Sequence, residues 1–118
     1  NFSSTIDLVG NTPLIKLKQA SETTGCTILG KAEFLNPGQS IKDRAALHMI
    51  MSAKNKDSTN KLIVEGTGGN TGIGLTVIGN ALGYKTLIVM PENQSIEKIN
   101  LLQNLGAKVV LTKQLPFY

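Results

Sequence analysis

The sequence predicts an α/β protein built on an open, parallel, twisted sheet with flanking helices. Short apolar runs alternate with runs of helical periodicity, in the order of successive β-α units. A glycine-rich stretch, Gly66-Thr67-Gly68-Gly69-Asn70-Thr71-Gly72-Ile73-Gly74, falls between one such strand and the helix after it. Upstream, an Asn36-Pro37-Gly38 turn runs straight into a helix with a lysine in its first turn.

In chain order, Ile6, Leu8 and Val9 anchor a short turn of helix, and Asn11-Thr12-Pro13 opens an extended run over Leu14 to Leu17. The polar residues 19–25 read as a connection ending at Gly25. Cys26 to Phe34 reads as a strand stopped by Asn36-Pro37. Ile41, Ala45, Ala46, Met49, Ile50 and Ala53 recur at helical spacing, which predicts a helix over about 41–55. A polar loop to Lys61 precedes a buried strand, Leu62 to Glu65. The next helix ends at Gly83 and has Ile73, Val77, Ile78, Ala81 and Leu82 as its apolar face. Lys85 to Met90 is a strand and Pro91 to Gln94 a turn. Ser95 caps a helix bearing Ile96, Ile99, Leu102 and Leu105, Gly106 stops it, and Ala107 to Thr112 is the last strand. With Cys26–Phe34 as its first strand, the order β-α-β-α-β-α-β implies one parallel sheet with right-handed crossovers.

Composition narrows the classes. The chain has 118 residues, 41% hydrophobic and 17% charged, which fits a small folded domain rather than a disordered or membrane-spanning chain. No apolar run approaches the ~18 residues of a membrane helix. The net charge of +4 is spread over scattered lysines with one arginine, and aromatics are few, so no nucleic-acid partner is expected. Cys26 is the only cysteine and reads as a small buried hydrophobe in an intracellular chain. No secretory or transit signal is visible, which points to the cytoplasm, or to the mitochondrion if an upstream targeting segment has been lost. His48 stands without a second histidine or a nearby cysteine, so no metal site is expected.

Two stretches carry the chemistry. Ser40 is a good N-cap, and Asp43, three residues on, makes Ser-x-x-Asp a variant of the capping box. Lys42 then lies beside the buried stripe, at the positive end of the helix dipole. Both the dipole and partial burial favour its neutral amine, the form that makes an imine with a carbonyl compound. A lysine there can equally bend back to solvent. In the second stretch, the backbone N–H groups of the glycine loop and the helix N-terminus favour an anion, and Thr67, Asn70 and Thr71 add short polar groups. A glycine-rich turn can also serve only to let strand and helix pack closely. The Walker pattern is excluded because no Gly-Lys-Ser/Thr follows. A dinucleotide fold would need a third glycine where Thr71 stands, and it has no use for Lys42.

Pro37-Gly38-x-Ser40-Ile41-Lys42-Asp43-Arg44, followed by Glu65-Gly66-Thr67-x-Gly69-Asn70-Thr71-Gly72-Ile73-Gly74-Leu75, resembles the cysteine synthase and cystathionine β-synthase family. These are pyridoxal-phosphate enzymes of the tryptophan-synthase-β fold type. Asn11-Thr12-Pro13-Leu14 and Met90-Pro91 match further family motifs, so the likeness runs from about Leu8 to Pro116. It implies that Lys42 forms the imine with pyridoxal 5'-phosphate and moves the α-proton. Asn70 would bond the cofactor's phenolic oxygen, and Thr67, Gly68, Gly69, Asn70 and Thr71 would bind the amino-acid substrate. The implied reaction is β-replacement, making L-cysteine from O-acetylserine and sulfide in a homodimer. Rival readings are a cystathionine β-synthase and a non-catalytic module, either a truncated paralogue or a dinucleotide domain.

Position 68, commonly serine in the family, is glycine here, which removes one hydroxyl. The resemblance divides the chain into 1–35, the opening of a large cofactor domain, and 36–118, a smaller mobile domain. The family's phosphate-binding loop and the partner of the pyridine nitrogen are expected further along a longer protein, so residues 1–118 alone are expected to be inactive.

Overall fold

Residues 2–56 and 59–113 are described by the computed structural model. Three apolar runs form a parallel sheet in the order β3 (Leu62–Gly66), β4 (Lys85–Pro91), β5 (Lys108–Thr112). The middle strand alternates strictly: Thr86, Ile88 and Met90 are buried, as a strand covered on one face requires. Register runs from Leu62 opposite Lys85 to Gly66 opposite Val89, and from Leu87 opposite Lys108 to Pro91 opposite Thr112. Thr67 N–H extends the first ladder to Val89 O at 2.9 Å, so the glycine loop leaves the sheet at its carboxyl edge.

Helices α2 (Lys42–Lys56), α3 (Asn70–Ala81) and α4 (Ile96–Asn104) flank this sheet. Helix α3 sits between two apolar clusters. One joins Ile73 to Ile88, Met90, Ile99, Leu102 and Ala107. The other joins Leu75 and Ile78 to Ala46 and Ile50 of α2 and to Tyr84. At roughly 1.5–3 kcal/mol for each fully buried large apolar side chain, these clusters fix how α2, α3 and α4 sit on the strands. Ser95 caps α4 as expected, its Oγ accepting from Lys98 N–H at 3.3 Å, and Gly106 follows in the left-handed region.

The parallel α/β architecture is as the sequence predicts, but the first half departs from the expectation. The run Cys26–Phe34 does not join the parallel sheet. Only β2 (Leu29–Lys31) is strand, and it pairs antiparallel with β1 (Leu14–Lys16) in a separate two-stranded sheet. Glu33–Leu35 folds into a 3₁₀ turn instead, because Glu33 is drawn to Thr12 and Arg44.

Residues Lys18–Thr24, expected as a connection, form helix α1. Ser21, Thr23 and Thr24 turn their hydroxyls back onto the Leu17, Gln19 and Ala20 carbonyls at 2.8–2.9 Å, which hides the helix from propensity. Buried Ser21 also accepts from Ile28 N–H at 2.9 Å, tying α1 to the approach of β2. Cys26 is exposed, not buried, since it lies just past the left-handed Gly25 that ends α1. The short helical turn near the N-terminus is a 3₁₀ helix, Thr5–Leu8, with Ile6 and Val9 against the α2–α3 cluster and Leu8 outside it. Ala81 and Ile96, expected on apolar faces, are exposed. The stretch Leu115–Tyr118, which includes the end of the family-like region, lies outside the described residues. None of the described helices is long and apolar enough to cross a membrane.

Candidate active site

The turn before α2 is built around Asn36, which is 2% exposed. Its Nδ2 donates to Glu33 O and Glu33 Oε2, both at 2.8 Å, and to Ser40 O at 3.1 Å, while its Oδ1 accepts from Gly10 N–H at 2.8 Å. Gln39 N–H closes the turn on Asn36 O at 2.8 Å, with Gln39 itself at φ 63°. Arg44 completes the frame. Its Nε donates to Glu33 Oε2 at 2.9 Å and its Nη2 to Glu33 Oε1 at 3.0 Å, the forked geometry that suits a guanidinium and a carboxylate. Thr12 joins both, donating to Glu33 Oε1 at 2.7 Å and accepting from Arg44 Nη2 at 3.2 Å. The Arg44 bonds, followed by those from Thr12 and Asn36, hold the Glu33 carboxyl far below its ordinary range, at about 2.

Lys42 opens α2 from this frame. Its N–H donates to Ser40 Oγ at 3.1 Å, so Ser40 caps the helix as the sequence predicts. Asp43 does not complete a reciprocal box with Ser40. Its carboxylate reaches further back and accepts from Gly38 N–H. The buried stripe also differs from the expected one: Asp43, Ala46 and Ile50 are buried, while Ile41, Ala45, Met49 and Ala53 are exposed. Lys42 is exposed rather than half-buried, so the described residues do not supply the desolvation that its position suggested. Its ammonium has no side-chain partner among them.

Asp43 is wholly buried where α2 crosses α3. A Cβ added to Gly74 would lie 3.1 Å from Asp43 Oδ1, 3.3 Å from Asp43 N and 3.3 Å from the Ala46 Cβ. A residue larger than glycine at 74 would have to push Asp43 or Ala46 back by a few tenths of an ångström. Asp43 Oδ1 has no hydrogen-bond partner among the described residues. Burial pushes this carboxyl up from its ordinary value, against the pull of the Gly38 N–H, and the Glu33 charge adds to the rise.

The glycine loop lies one helical turn before Gly74. Gly69 N–H folds back onto Thr67 Oγ1 at 3.1 Å, and Ile73 N–H returns to Gly69 O at 2.9 Å as α3 begins. Gly69 has φ 140° and ψ −69°, and a Cβ there would meet Lys98 Cδ at 2.7 Å. The backbone angle favours glycine, while the Lys98 chain could swing aside. Gly68 differs. Its φ is not positive, and an added Cβ would meet only Gln94 Oε1, at 3.8 Å. Asn70 and Gly68 are exposed, and Thr67 and Thr71 are partly so.

The site residues expected from the sequence thus fall in two groups. Thr67, Gly68, Gly69, Asn70 and Thr71 share one loop and helix start. Lys42 starts the neighbouring helix, and the Asp43–Gly74 contact brings those two helix starts together. The arrangement offers the Lys42 amine on one helix start and a donor-rich glycine loop, with the Lys98 side chain packed against Gly69, at the start of a 12-residue helix, which suits a carbonyl compound that also bears an anion. Sequence reasoning missed Glu33, Thr12 and Asn36 as the frame of this site. Their only local trace is that the chain's single arginine stands two residues after Lys42.

The model of the family described as "Pyridoxal-phosphate dependent enzyme" matches residues 5–116. Cysteine synthase 1 of Neurospora crassa is 55% identical over 103 residues, which cover 86% of this chain and 27% of that protein. Cystathionine beta-synthase of Apis mellifera is 50% identical over 88% of this chain and 21% of its own length. A hydrogen sulfide-producing enzyme from Fusobacterium nucleatum superimposes with a TM-score of 0.89 at 46% identity, covering 96% of this chain and 38% of that one. The chain therefore spans about a quarter of the length of the curated relatives it matches. A family match across nearly the whole sequence, with a fold to accompany it, makes this chain a member of the pyridoxal-phosphate-dependent enzymes.

Proposed function

We propose that the protein to which these residues belong makes L-cysteine by β-replacement on an activated serine. O-Acetylserine loses acetate from its β-carbon, and sulfide adds there. The observation that carries this reading is the packing of Asp43 on Gly74, which brings the start of the Lys42 helix against the helix that begins at the glycine loop.

The residues present fit pyridoxal phosphate in part. Lys42 offers an exposed, unpartnered amine for the aldehyde, and Asn70 an exposed amide for the ring oxygen. The loop surface at Gly68 is open where a Cβ would project. When bound, the cofactor draws electron density from the substrate α-carbon. Lys42 would hold the cofactor through its aldehyde, and its Nζ would take and return the substrate α-proton. Asn70 orients the ring through its oxygen. The Gly68 N–H and the hydroxyls of Thr67 and Thr71 bind the substrate carboxylate, helped by the positive end of the α3 dipole, while Gly69 shapes the loop with its own N–H held on Thr67 Oγ1.

In this reading residues 1–35 open a larger cofactor domain and 36–118 belong to a smaller mobile one. The cofactor's phosphate and pyridine nitrogen are held elsewhere in a homodimeric whole, so the 118 residues alone turn over no substrate. Homocysteine in place of sulfide is the second reading, favoured by the Apis mellifera relative at 50% identity.

Lys42→Ala in the whole protein should abolish the visible absorbance of the bound cofactor and its borohydride trapping on the peptide containing residue 42. Thr71→Ala should weaken amino-acid binding more than cofactor binding. Trapping on a different lysine would reject the assignment.

A further inference from the structure

We propose that Asp43 is a positioning residue, which sets Lys42 against the glycine-loop helix by wedging its carboxyl between Gly38 and Gly74. The inference rests on the proposed role of Lys42 and goes beyond it, since Asp43 itself touches neither substrate nor cofactor in that reading.

Three observations carry it. Asp43 is 0% exposed in the first turn of α2, one residue from Lys42. One carboxylate oxygen accepts from Gly38 N–H, in the turn that Asn36 holds rigid. The other oxygen is unpartnered among the described residues and lies against Gly74, one turn into the helix that begins at Asn70. A buried oxygen with no partner is a cost that core packing alone does not explain, because an apolar side chain would fill the space without it. Both glycines face the same carboxyl: a Cβ on Gly38 would overlap Asp43 Oδ1, and a Cβ on Gly74 would lie 3.1 Å from it, a tight contact. The shape of the contact, rather than a network of bonds, therefore sets the distance between the amine-bearing turn and the loop. Positions of this kind matter because a misplacement of about 1 Å can cost on the order of a hundredfold in rate.

The test uses the whole protein, with each variant held well below its own melting temperature. Two quantities are read: the rate at which cofactor-free protein captures pyridoxal phosphate, followed by visible absorbance, and the affinity of the loaded protein for L-serine. Asp43→Ala and Gly74→Ala should each slow capture and weaken L-serine binding about tenfold, since both disturb one placement. The double variant should be no worse than the poorer single one, because the two substitutions break the same contact. Asp43→Asn, which keeps the shape and the acceptor for Gly38, should stay within about twofold of wild type. A purely structural Asp43 predicts lowered melting temperatures with capture and L-serine affinity intact, and that result would overturn the proposal. Additive effects in the double variant would overturn it as well. If wild-type protein captures the cofactor at a lysine other than 42, the proposed function fails and this inference goes with it. Capture at Lys42 with indifferent Asp43 and Gly74 variants rejects the wedge alone.

Discussion

On the Lys42 side of the candidate site, the polar atoms of Thr12, Glu33, Asn36 and Arg44 are bonded to one another across as many as 32 residues of sequence. On the glycine-loop side, the side chains of Asn70 and Thr71 have no partner among the described residues, and the loop keeps its shape through glycine geometry and one Thr67 hydroxyl. The first side is held by side chains and presents the Lys42 amine to solvent. The second is held by backbone and leaves its donors free. A reactive group needs a fixed origin, and the bonded frame of Thr12, Glu33, Asn36 and Arg44 supplies it, the buried Asp43 Oδ1 being the exception among the described residues. A binding surface needs unsatisfied donors, and these are tolerable only where solvent reaches them, as it does at Asn70.

The largest expected effect comes from breaking the satisfied side. Asn36→Ala leaves Gly10 N–H and Ser40 O without their side-chain partner in a buried turn, and should destabilise the protein by about 3 kcal/mol in denaturant unfolding. A loss under about 0.5 kcal/mol would mean that the turn stands without its hub.

Next come the two adjacent glycines, which sharpen the contrast within the loop itself. Gly69→Ala must adopt a strained φ and push Lys98 aside, a cost of about 1–3 kcal/mol. Gly68→Ser has room and an ordinary φ, and should fall within about 0.5 kcal/mol of wild type. Equal costs at the two positions would show that the loop is not shaped as described.

The smallest effect is electrostatic. Glu33 titrates at about 2 when folded against an ordinary 4.5, so its contribution is complete above about pH 4.5 and is lost as the pH falls towards 2. Glu33→Gln should flatten the acid limb of the stability curve in that window. An unchanged slope would assign the acid sensitivity to other carboxylates, such as Asp7 and Glu97, whose values are also lowered.

The same contrast separates what was legible in the sequence from what was not. The loop side was readable because its signals are local: the apolar run Leu62–Glu65, glycine spacing, and helical periodicity from Ile73 onward, although that strand was expected to be buried and is exposed or half-buried along its length. The cap at Ser40 and the turn at Asn36-Pro37-Gly38 were readable for the same reason. Burial of Asp43 was not, because an acid three residues after a cap looks like half of a capping box until Gly74 arrives from another helix. The antiparallel pairing of Leu14–Lys16 with Leu29–Lys31 was also hidden, since an isolated short run carries no mark of its partner or direction. Exposure of Lys42 and Cys26 depends on which neighbours tertiary packing brings, and composition says nothing of that.

The enclosure of Asp43 has a kinetic consequence. With no surface open to solvent, its carboxyl can gain or lose a proton only in the moments when Gly38 or Gly74 moves aside. Its titration then runs at the opening rate of the α2–α3 junction instead of at the rate of proton diffusion. After a rapid pH jump the group keeps its earlier protonation state until the junction next opens, so an infrared carboxyl band at Asp43 would time the breathing of the two helix starts that flank Lys42.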